Sequence, residues 1–467
     1  MPIYDLDHID SWEPHDGPKK PAAKPKRTKK KRPVGLWILI ILLIGALIAK
    51  PFVLDLFREE PVGIIHSQIN DQGELILYYS DGSSENLGVV VGADGADGMD
   101  GQDGQNGING SDGTVTSTNN VASAAAAGLR SAVSVWCTFY QEGWRGTVTE
   151  YYSAGSGVIY QINKEEGDAF IITNHHVVFD AKSRTSNGIA EQITLYLYGS
   201  EMEGKEITAT YVGGSQNYDI AVLRVEDSEV LRQSQATAAR VADSDGVLVG
   251  STAIAVGNPE GMGISTSSGV ISVDSEYITM TAVDGYTEVS YRVMRIDTAV
   301  NSGNSGGGLY DEQGRLIGIV NAKTVDDSVE NIGYALPSST VVAVADNIIH
   351  YCFGSNCESV QRAIMGVTVT TTDSGAVYDD ATGRVSVVET VEIYEVTAGQ
   401  IGAVFQPGDV LVSVTVGGNT KPITRQHHVI DMMMTARVGD TVQFVVLRGG
   451  VETNLSLTVT QDCLTAY

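Results

Sequence analysis

Ten short apolar runs, separated by glycine-containing turns, follow one another between about residue 129 and residue 336. Val, Ile, Thr and aromatic residues dominate these runs, and such residues favour strands. The runs are SAVSVW, GSGVIY, AFIIT, ITLYLY, DIAVLRV, TAIAVG, GVISV, RVMRI, RLIGIV and NIGYAL. No helical pattern intervenes, so the apolar faces must be buried in a barrel or a sandwich. The sequence therefore predicts a mainly β domain here.

A helix and a second strand-rich region follow. The segment STVVAVADNIIHYC, directly after Pro337, has apolar residues at helical spacing, which predicts a helix that ends the first domain. Residues 363–460 contain the strand-like runs GDVLVSV, DTVQFVVLR and LSLTVT around a predicted helix near 425–437. A chain of 467 residues with 42% hydrophobic residues can form two or three domains. We place these two over 129–352 and 363–460.

The N-terminal part has the pattern of a membrane anchor. Residues 34–49 (VGLWILIILLIGALIA) form an uncharged apolar run that would be about 24 Å long as a helix, slightly short of a bilayer core of about 30 Å. A cleaved signal peptide and a buried core helix are the alternatives, but the preceding region is long and no A-x-A site follows. Residues 19–32 carry nine basic and no acidic residues, which favours a cytoplasmic N terminus. We predict a basic cytoplasmic tail over 1–33 and a transmembrane anchor over 34–56.

Two further segments precede the first β domain. ELILYY and LGVVV alternate with turn signals, so residues 57–91 predict a small β-hairpin module. Glycine then occupies every third position from Gly92 to Gly113, the period of a collagen triple helix. This repeat contains no proline, so a solvated Gly-x-y stalk and linker over 92–128 is the preferred interpretation, with a triple helix as the alternative.

Charge and cysteine content limit the partners. Residues 51–467 carry 20 basic and 52 acidic side chains, which predicts that this part does not bind nucleic acid. Cys352 and Cys357 enclose a short turn-prone segment and predict a local disulfide. Cys137 and Cys463 are either free or paired. No C-x-x-C pair occurs, so no metal site is predicted.

Three local sequences supply the residue types of a nucleophilic serine site. A serine needs a histidine to take its proton, a carboxylate to orient that histidine, and donors for the developing oxyanion. FIITNHHV ends a strand at His175 and His176, NYDIAVL places Asp219 before an apolar strand, and NSGNSGGG surrounds Ser305 with glycines. Each sequence alone is common at turns. Their occurrence together in one β domain predicts a catalytic triad, with the backbone N–H groups of Gly303 and Ser305 as an oxyanion hole.

Five more segments of this domain match one known pattern: GSG (155–157), AVGNP (255–259), SGVI (268–271), IDTA (296–299) and IGYALP (332–337). With the three sequences above, they resemble the HtrA/Deg family of trypsin-like serine proteases over about residues 129–350. The resemblance implies a chymotrypsin-like double β-barrel, followed by a PDZ domain.

The resemblance also implies a role for each residue of the site. His176 would be the general base and acid, Asp219 its orienting carboxylate, and Ser305 the nucleophile. His176 is preferred to His175 because it directly precedes Val177, as in the family's T-N-x-H-V pattern. His175 is then a neighbour with a structural or solvent-facing role. Ser302 stands where the family often has proline.

The C-terminal region resembles the PDZ domain of that family in AIMGV (363–367), QPGDVL (406–411) and VGDTV (438–442). Such a domain binds an extended C terminus as an added strand. The resemblance implies that a loop holds the terminal carboxylate through its backbone N–H groups; the loop residues are Ile364, Met365, Gly366 and Val367. A plain β module without a ligand is the alternative. The Met432–Met434 run is interpreted as helix core rather than as a metal site.

The apolar run and the basic residues before it predict a single-pass cell-membrane protein, whose protease and PDZ domains are then extracytoplasmic. The resemblance implies the activity. The protein would be a homotrimeric serine endopeptidase that cleaves misfolded or unfolded proteins through an acyl-enzyme, without a cofactor, and recognises peptide C termini. A non-proteolytic surface scaffold or chaperone is the alternative, although a pure binder has no need for the complete His/Asp/Ser set. A collagen-like adhesin would account only for residues 92–113.

Overall fold

The computed structural model describes residues 3–5, 64–70, 74–80, 82–89 and 120–467, the last range with gaps at 144–145, 201–203, 283, 322–331, 356 and 381–382. The predicted transmembrane anchor and the Gly-x-y repeat lie outside the described residues, as does all of the basic tail except Ile3–Asp5. Within the described ranges, no helix has both the length and the apolar character that crossing a membrane requires. The chain divides into two compact units, one over 14–115 and the other over 1–13 with 116–467.

The smaller unit contains a three-stranded antiparallel sheet in the order β2-β3-β4. Its strands are β2 (Ile64–Ile69), β3 (Glu74–Tyr79) and β4 (Ser84–Val89). The structure thus has three strands where the sequence predicts a hairpin. The runs ELILYY and LGVVV overlap β3 and β4, so the additional strand is β2, IIHSQI, whose His, Ser and Gln interrupt the apolar pattern.

Two closed six-stranded barrels form the first part of the larger unit. The first barrel has the order β10-β7-β6-β5-β8-β9 and the second β11-β12-β13-β16-β15-β14. The first contains β5 (Ala132–Glu142), β6 (Val148–Asn163), β7 (Asp168–Thr173), β8 (Gln192–Leu197), β9 (Ile207–Ser215) and β10 (Ile220–Val225). The second contains β11 (Thr252–Gly257), β12 (Ser265–Thr281), β13 (Glu288–Ile296), β14 (Gly308–Tyr310), β15 (Leu316–Asn321) and β16 (Gly333–Pro337). This arrangement confirms the mainly β, chymotrypsin-like double barrel.

Each barrel has its own apolar interior. Val135, Ile159 and Leu223 are buried inside the first barrel. Met294 and Leu309 are buried inside the second. Alternate residues of each strand therefore point inward and fill the barrel. Polar side chains lie on the loops at the barrel ends.

Short helices connect the strands of the barrels and of the C-terminal module. They are α1 (Asn120–Ser131), α2 (His175–Val178), α3 (Glu229–Gln233), α4 (Ser338–Cys352) and α5 (His427–Thr435), with 3₁₀ turns at Ser244–Gly246, Pro259–Gly261, Ile401–Val404 and Gln461–Cys463. Both α4 and α5 confirm the helices predicted after Pro337 and near 425–437. Helix α1 differs from the linker predicted up to residue 128. It forms because alanine has the highest helix propensity and because the VASAAAAG run packs on the second barrel. The packing is close, since a Cβ placed on Gly128 would lie 2.8 Å from Val256.

The C-terminal module, residues 361–467, is a sheet that packs around helix α5. Its strands are β17 (Gln361–Ala363), β18 (Val367–Asp379), β19 (Arg384–Val396), β20 (Val410–Val416), β21 (Asn419–Pro422), β22 (Thr441–Arg448), β23 (Val451–Thr458) and β24 (Leu464–Ala466). The main sheet has the order β18-β19-β20-β22-β23, with β21 on β20, while β17 pairs with β24. Strand β1 (Ile3–Asp5) pairs antiparallel with the free edge of β18. Met433 is buried in the core, as the sequence predicts.

A buried polar cluster joins this module to the second barrel. Arg292 of β13 binds Asp245, with Nη1 3.1 Å from Oδ1, and binds Asp431 of α5, with Nη2 3.2 Å from Oδ2. Lys421 of β21 also contacts Asp245. The carboxylate of Asp245 lies 3.6 Å from Nε2 of His427. Charges from both sides are thus paired across the contact.

Two neutral histidines complete the cluster. Burial, with the charge of Arg292, lowers the pKa of His427 to about 3, and burial lowers the pKa of His428 to about 4. Both imidazoles are therefore uncharged at neutral pH while the contact is intact. Protonating either one in place would add a positive charge beside Arg292 and Lys421.

The free energy of unfolding should therefore decrease as pH falls from 6.5 to 4.5. The exposed histidines of the unfolded chain take up protons below their ordinary pKa of 6.5, whereas the native ones do not. The loss is at most about 1.4 kcal/mol per pH unit for each histidine. Urea unfolding at pH 7 and pH 5 measures it.

The matched control for this prediction is the double variant His427→Gln/His428→Gln. Burial raises the pKa of Asp431, which acts in the opposite direction, but this residue is present in both proteins. The difference between the two proteins therefore isolates the histidines. An equal pH dependence in both would contradict the prediction.

Candidate active site

The three predicted catalytic side chains come from loops of both barrels. His176 lies in α2, directly after β7, and Asp219 precedes β10, so both belong to the first barrel. Ser305 lies in the loop before β14 of the second barrel. That loop packs closely against the end of β7, which leads to His176. A Cβ placed on Gly306 would lie only 2.3 Å from Oγ1 of Thr173.

His176 and Asp219 form a close pair. Nδ1 of His176 lies 2.7 Å from Oδ2 of Asp219, and the backbone N–H of His176 donates to Oδ1 at 3.0 Å. The Asp219 residue is buried, while the His176 side chain is 15% exposed. The carboxylate accepts the Nδ1 proton, so Nε2 is the ring nitrogen left for a proton acceptor role.

The backbone of Asp219 is held in an unusual conformation. Its φ is +51°, in the left-handed region that residues other than glycine seldom adopt. Its carbonyl oxygen accepts hydrogen bonds from Nδ2 of Asn174 at 2.8 Å and from the N–H of His175 at 3.2 Å. These bonds connect the turn that carries the aspartate to the residues directly before His176.

Asn321, at the end of β15, reaches Asp219 from the second barrel. Its Nδ2 donates to Oδ2 of Asp219 at 3.0 Å and to the hydroxyl of Tyr291 at 2.9 Å. All three residues are buried. Burial, and then the charge of Asp219, raises the pKa of the Tyr291 hydroxyl, which therefore stays protonated.

The serine turn is shaped by two glycines. Gly303 has a φ of +91° and Gly306 a φ of +83°, and a Cβ on Gly303 would lie 2.2 Å from the carbonyl oxygen of Asn258. The carbonyl of Ser302 accepts from the N–H of Glu260 at 2.8 Å. Because C=O and N–H point in opposite directions across a trans peptide, the N–H of Gly303 points away from Glu260.

Ser156 of β6 connects this turn to the first barrel through hydrogen bonds. Its Oγ donates to the carbonyl of Gly303 at 2.6 Å and accepts from the N–H of Asn258 at 2.7 Å. Its N–H donates to the carbonyl of Ser305 at 2.8 Å. One serine therefore sets the position of both residues that were predicted to supply oxyanion donors.

Four residues of the site were not predicted from the sequence: Asn174, Ser156, Tyr291 and Asn321. Ser156 lies in the GSG segment that carried the resemblance, and Asn174 lies in the T-N-x-H-V pattern. These motifs could have indicated both residues as parts of the site. Asn321 and Tyr291 have no such local sign, since each lies on an apolar strand whose partner is remote in the chain.

His175 has a structural location. Its side chain is fully buried, and Nε2 lies 3.0 Å from Oε2 of Glu358. The solvent-facing alternative was therefore wrong. The His175 ring thus binds Glu358, whereas the Asp219 carboxylate binds His176.

The predicted carboxylate-binding loop, Ile364–Val367, connects β17 to the edge strand β18. The carbonyl of Met365 accepts from Gly402 at 2.8 Å, and that of Gly366 accepts from Thr397 at 2.7 Å. Gly366 has a φ of +73°. Because these carbonyls point into the module, the following N–H groups point away from those two partners.

Among the residues that the structure describes, one group of side chains has ligand atoms close enough for a metal ion. The group is Asp245, His427 and His428, with atoms within 4.8 Å of one another. Arg292 and Lys421 already bind the Asp245 carboxylate. Two fixed positive charges beside the only anionic ligand oppose a divalent cation, so these residues suit an ion-pair cluster better than a metal centre.

Comparison with known proteins agrees with this geometry. Residues 155–319 match the trypsin-like peptidase domain. Serine protease Do-like HtrA of Lactococcus lactis subsp. cremoris is 31% identical over 309 residues, which cover 64% of this chain and 68% of that protein. Serine protease Do-like HtrA of Bacillus subtilis is 31% identical over 306 residues, 64% of this chain and 62% of that protein.

A solved structure, HtrA-type protease AlgW with tripeptide, is 26% identical and covers 74% of this chain and 97% of that chain, with a TM-score of 0.43. The peptidase match and the two barrels define a trypsin-like serine protease. The chain belongs to the HtrA family of these proteases. It spans somewhat less than two thirds of the Bacillus relative.

Replacing Asn321 with Leu should lower kcat/KM for a peptide substrate by about tenfold to a hundredfold. The change removes a hydrogen bond to a charged carboxylate while keeping the branching and the number of side-chain heavy atoms, and such bonds contribute about 1.5–3 kcal/mol. Tyr291→Phe is the matched control, because it removes the other partner of Asn321 and leaves the bond to Asp219. A folded Asn321→Leu enzyme with the parental kcat/KM would refute this role.

Proposed function

We propose that the protein is an endopeptidase in which Ser305, His176 and Asp219 form the catalytic triad. The observation that carries the proposal is the 2.7 Å contact between Nδ1 of His176 and Oδ2 of Asp219, on a barrel whose loops meet the Ser305 turn. This contact sets the tautomer, because the Nδ1 proton is donated to the carboxylate and Nε2 keeps its lone pair.

The chemical steps follow from that arrangement. Nε2 of His176 takes the Ser305 hydroxyl proton as Oγ attacks the scissile carbonyl carbon, and the resulting oxyanion accepts hydrogen bonds from the N–H groups of Gly303 and Ser305. The protonated imidazole then gives its proton to the leaving amine. The C–N bond breaks, and the acyl-enzyme forms on Ser305. Water, deprotonated by the same nitrogen, then attacks the acyl carbon. The bond to Ser305 Oγ breaks, Oγ takes the proton back from His176, and the new C terminus is released. The negative Asp219 stabilises the imidazolium during each transfer.

We further propose that the C-terminal module is a PDZ domain that binds peptide C termini. Two features support this proposal: the loop Ile364–Val367, which directly precedes the edge strand β18, and helix α5 beside the sheet. A ligand strand added at β18 would extend toward the N–H groups of Gly366 and Val367. The terminal carboxylate would accept hydrogen bonds from these groups.

The proposed substrates are misfolded or unfolded proteins outside the cytoplasm, and the proposed assembly is a homotrimer. An unfolded chain presents the extended segments that a cleft between two barrels and a sheet edge both need. For location, we propose one membrane span within residues 34–56, with the basic run of residues 19–32 in the cytoplasm. The pairing of Ile3–Asp5 with β18 is incompatible with this topology, because the two would lie on opposite sides of the membrane.

Ser305→Ala should reduce cleavage of casein and of a short chromogenic peptide by roughly a thousandfold or more. It removes the nucleophile but only one hydroxyl oxygen, so folding and peptide binding should be kept. The alternative, a scaffold that only binds, predicts no cleavage by the parent protein. Cleavage by Ser305→Ala at the parental rate, in a preparation free of other proteases, would contradict the proposed triad.

A peptide with a free hydrophobic C terminus should bind the Ser305→Ala protein at least about tenfold more tightly than the same peptide with an amidated C terminus. Amidation removes the charge that the backbone N–H groups of the Ile364–Val367 loop would bind. Fluorescence anisotropy with the two labelled peptides measures this ratio. Equal affinities would exclude carboxylate recognition by the module.

Protease added to intact cells should digest the region after residue 60 and leave an N-terminal tag protected. The basic residues before the apolar run keep the tail inside, so only the C-terminal side is accessible. Permeabilised cells, in which the tag should also be digested, are the control. A tag cleaved in intact cells together with a protected protease region would reverse the topology.

A further inference from the structure

The Cys352–Cys357 disulfide forms at the end of α4 and confirms the predicted pair. The loop that it closes lies on β9 of the first barrel. The N–H of Gly214 donates to the carbonyl of Cys357 at 3.1 Å. A Cβ on Gly213 would lie 2.8 Å from Cβ of Cys352 and 2.9 Å from that same carbonyl. Two glycines thus let the loop rest directly on the strand.

The residue after the disulfide, Glu358, contacts two side chains of the first barrel. Its Oε2 accepts from the hydroxyl of Tyr211 at 3.0 Å and lies 3.0 Å from Nε2 of His175. Gly214 makes room for this arrangement, because a Cβ there would lie 2.6 Å from the His175 ring and 2.6 Å from the Tyr211 hydroxyl. One carboxylate oxygen therefore binds a β9 side chain and the residue next to His176.

The buried surroundings define which nitrogen of His175 carries the proton. Within the described part of the chain, Nδ1 of His175 is buried and has no hydrogen-bond partner. A proton there would be a buried donor without an acceptor, which is costly. The proton therefore lies on Nε2, and His175 donates it to Glu358.

The two segments that Glu358 contacts are those that lead to the catalytic pair. His175 directly precedes His176, and its N–H donates to the carbonyl of Asp219 at 3.2 Å. Strand β9 ends at Ser215, and the next turn reaches Asp219, whose φ is +51°. A displacement of Glu358 would therefore reach both partners of the pair.

We propose that Glu358, held by the Cys352–Cys357 disulfide, is a positioning residue for the His176–Asp219 pair, and that opening the disulfide lowers catalytic turnover. This inference rests on the proposed triad. A dithiol reductant opens the bond with two electrons and two protons, giving two cysteine thiols while the dithiol becomes a cyclic disulfide. The other two cysteines, Cys137 and Cys463, are already free thiols, so a dithiol changes only this pair.

Steady-state kinetics on a short chromogenic peptide test the proposal. Glu358→Ala and the double variant Cys352→Ser/Cys357→Ser should each lower kcat about tenfold with KM within about twofold of the parental value. Glu358→Gln should recover most of the activity, because its amide oxygen still accepts from Nε2 of His175. Glu191→Gln, which breaks the exposed ion pair with Arg184 on the same barrel, is the matched control and should leave both constants unchanged.

The reductant provides a test without substitution. Excess dithiol should lower kcat of the parent to the level of the double serine variant and should leave that variant unchanged. Equal kcat for parent, Glu358→Ala and reduced protein would overturn the inference while leaving the proposed triad intact. A KM increase with unchanged kcat would also overturn it, since that result indicates an effect on binding.

A spectroscopic signature separates failure of this inference from failure of the proposed function. The Nδ1 proton between His176 and Asp219 gives a low-field proton NMR resonance, which can be followed in the Ser305→Ala protein. Dithiol should shift or broaden that resonance, with no comparable change in the double serine variant. An unchanged resonance would contradict the positioning role, whether or not the parent cleaves peptides. A parent that cleaves nothing would contradict the proposed function alone.

Discussion

The carboxylate of Asp219 is the group on which the rest of the site depends. It accepts from the ring and the backbone of His176, and Asn321 donates to it from the other barrel. A left-handed backbone at a residue other than glycine costs about 1–3 kcal/mol. The hydrogen bonds from Asn174 and His175 to its carbonyl oppose that cost and direct the side chain toward His176.

Because the donors to Asp219 come from both barrels, the site forms only when the barrels are packed together. Ser156 acts similarly on the other side of the junction, where it binds Gly303 and Ser305 across the barrels. Removing one of these contacts therefore affects several at once, and the effects of such variants should not be additive. Non-additive effects should also involve Glu358, which is part of neither barrel but contacts His175, the residue beside His176.

Local patterns were enough to predict a mainly β domain, helix α4, the Cys352–Cys357 disulfide and the order of the His, Asp and Ser segments, because each depends on residues that are close in sequence. The division into two barrels followed only from the family resemblance. Helix α1 was assigned to the linker, since its small residues carry little apolar contrast and it is stabilised by packing against Val256. Asn321 and Glu358 were not identified for a different reason. Their partners are 102 and 183 residues away in the chain, and no periodicity records such a contact.

Covalent labelling with a fluorophosphonate tests the central claim most directly, because this reagent phosphonylates a serine only when its hydroxyl is activated. We predict one adduct per chain, mapped to Ser305 by peptide mass spectrometry, with a labelling rate that is much slower in His176→Ala and in Asp219→Asn. The Asp219→Asn variant keeps the size of the side chain and removes the charge that stabilises the imidazolium. An adduct on another serine, or a Ser305 adduct that forms at the same rate in both variants, would contradict the account.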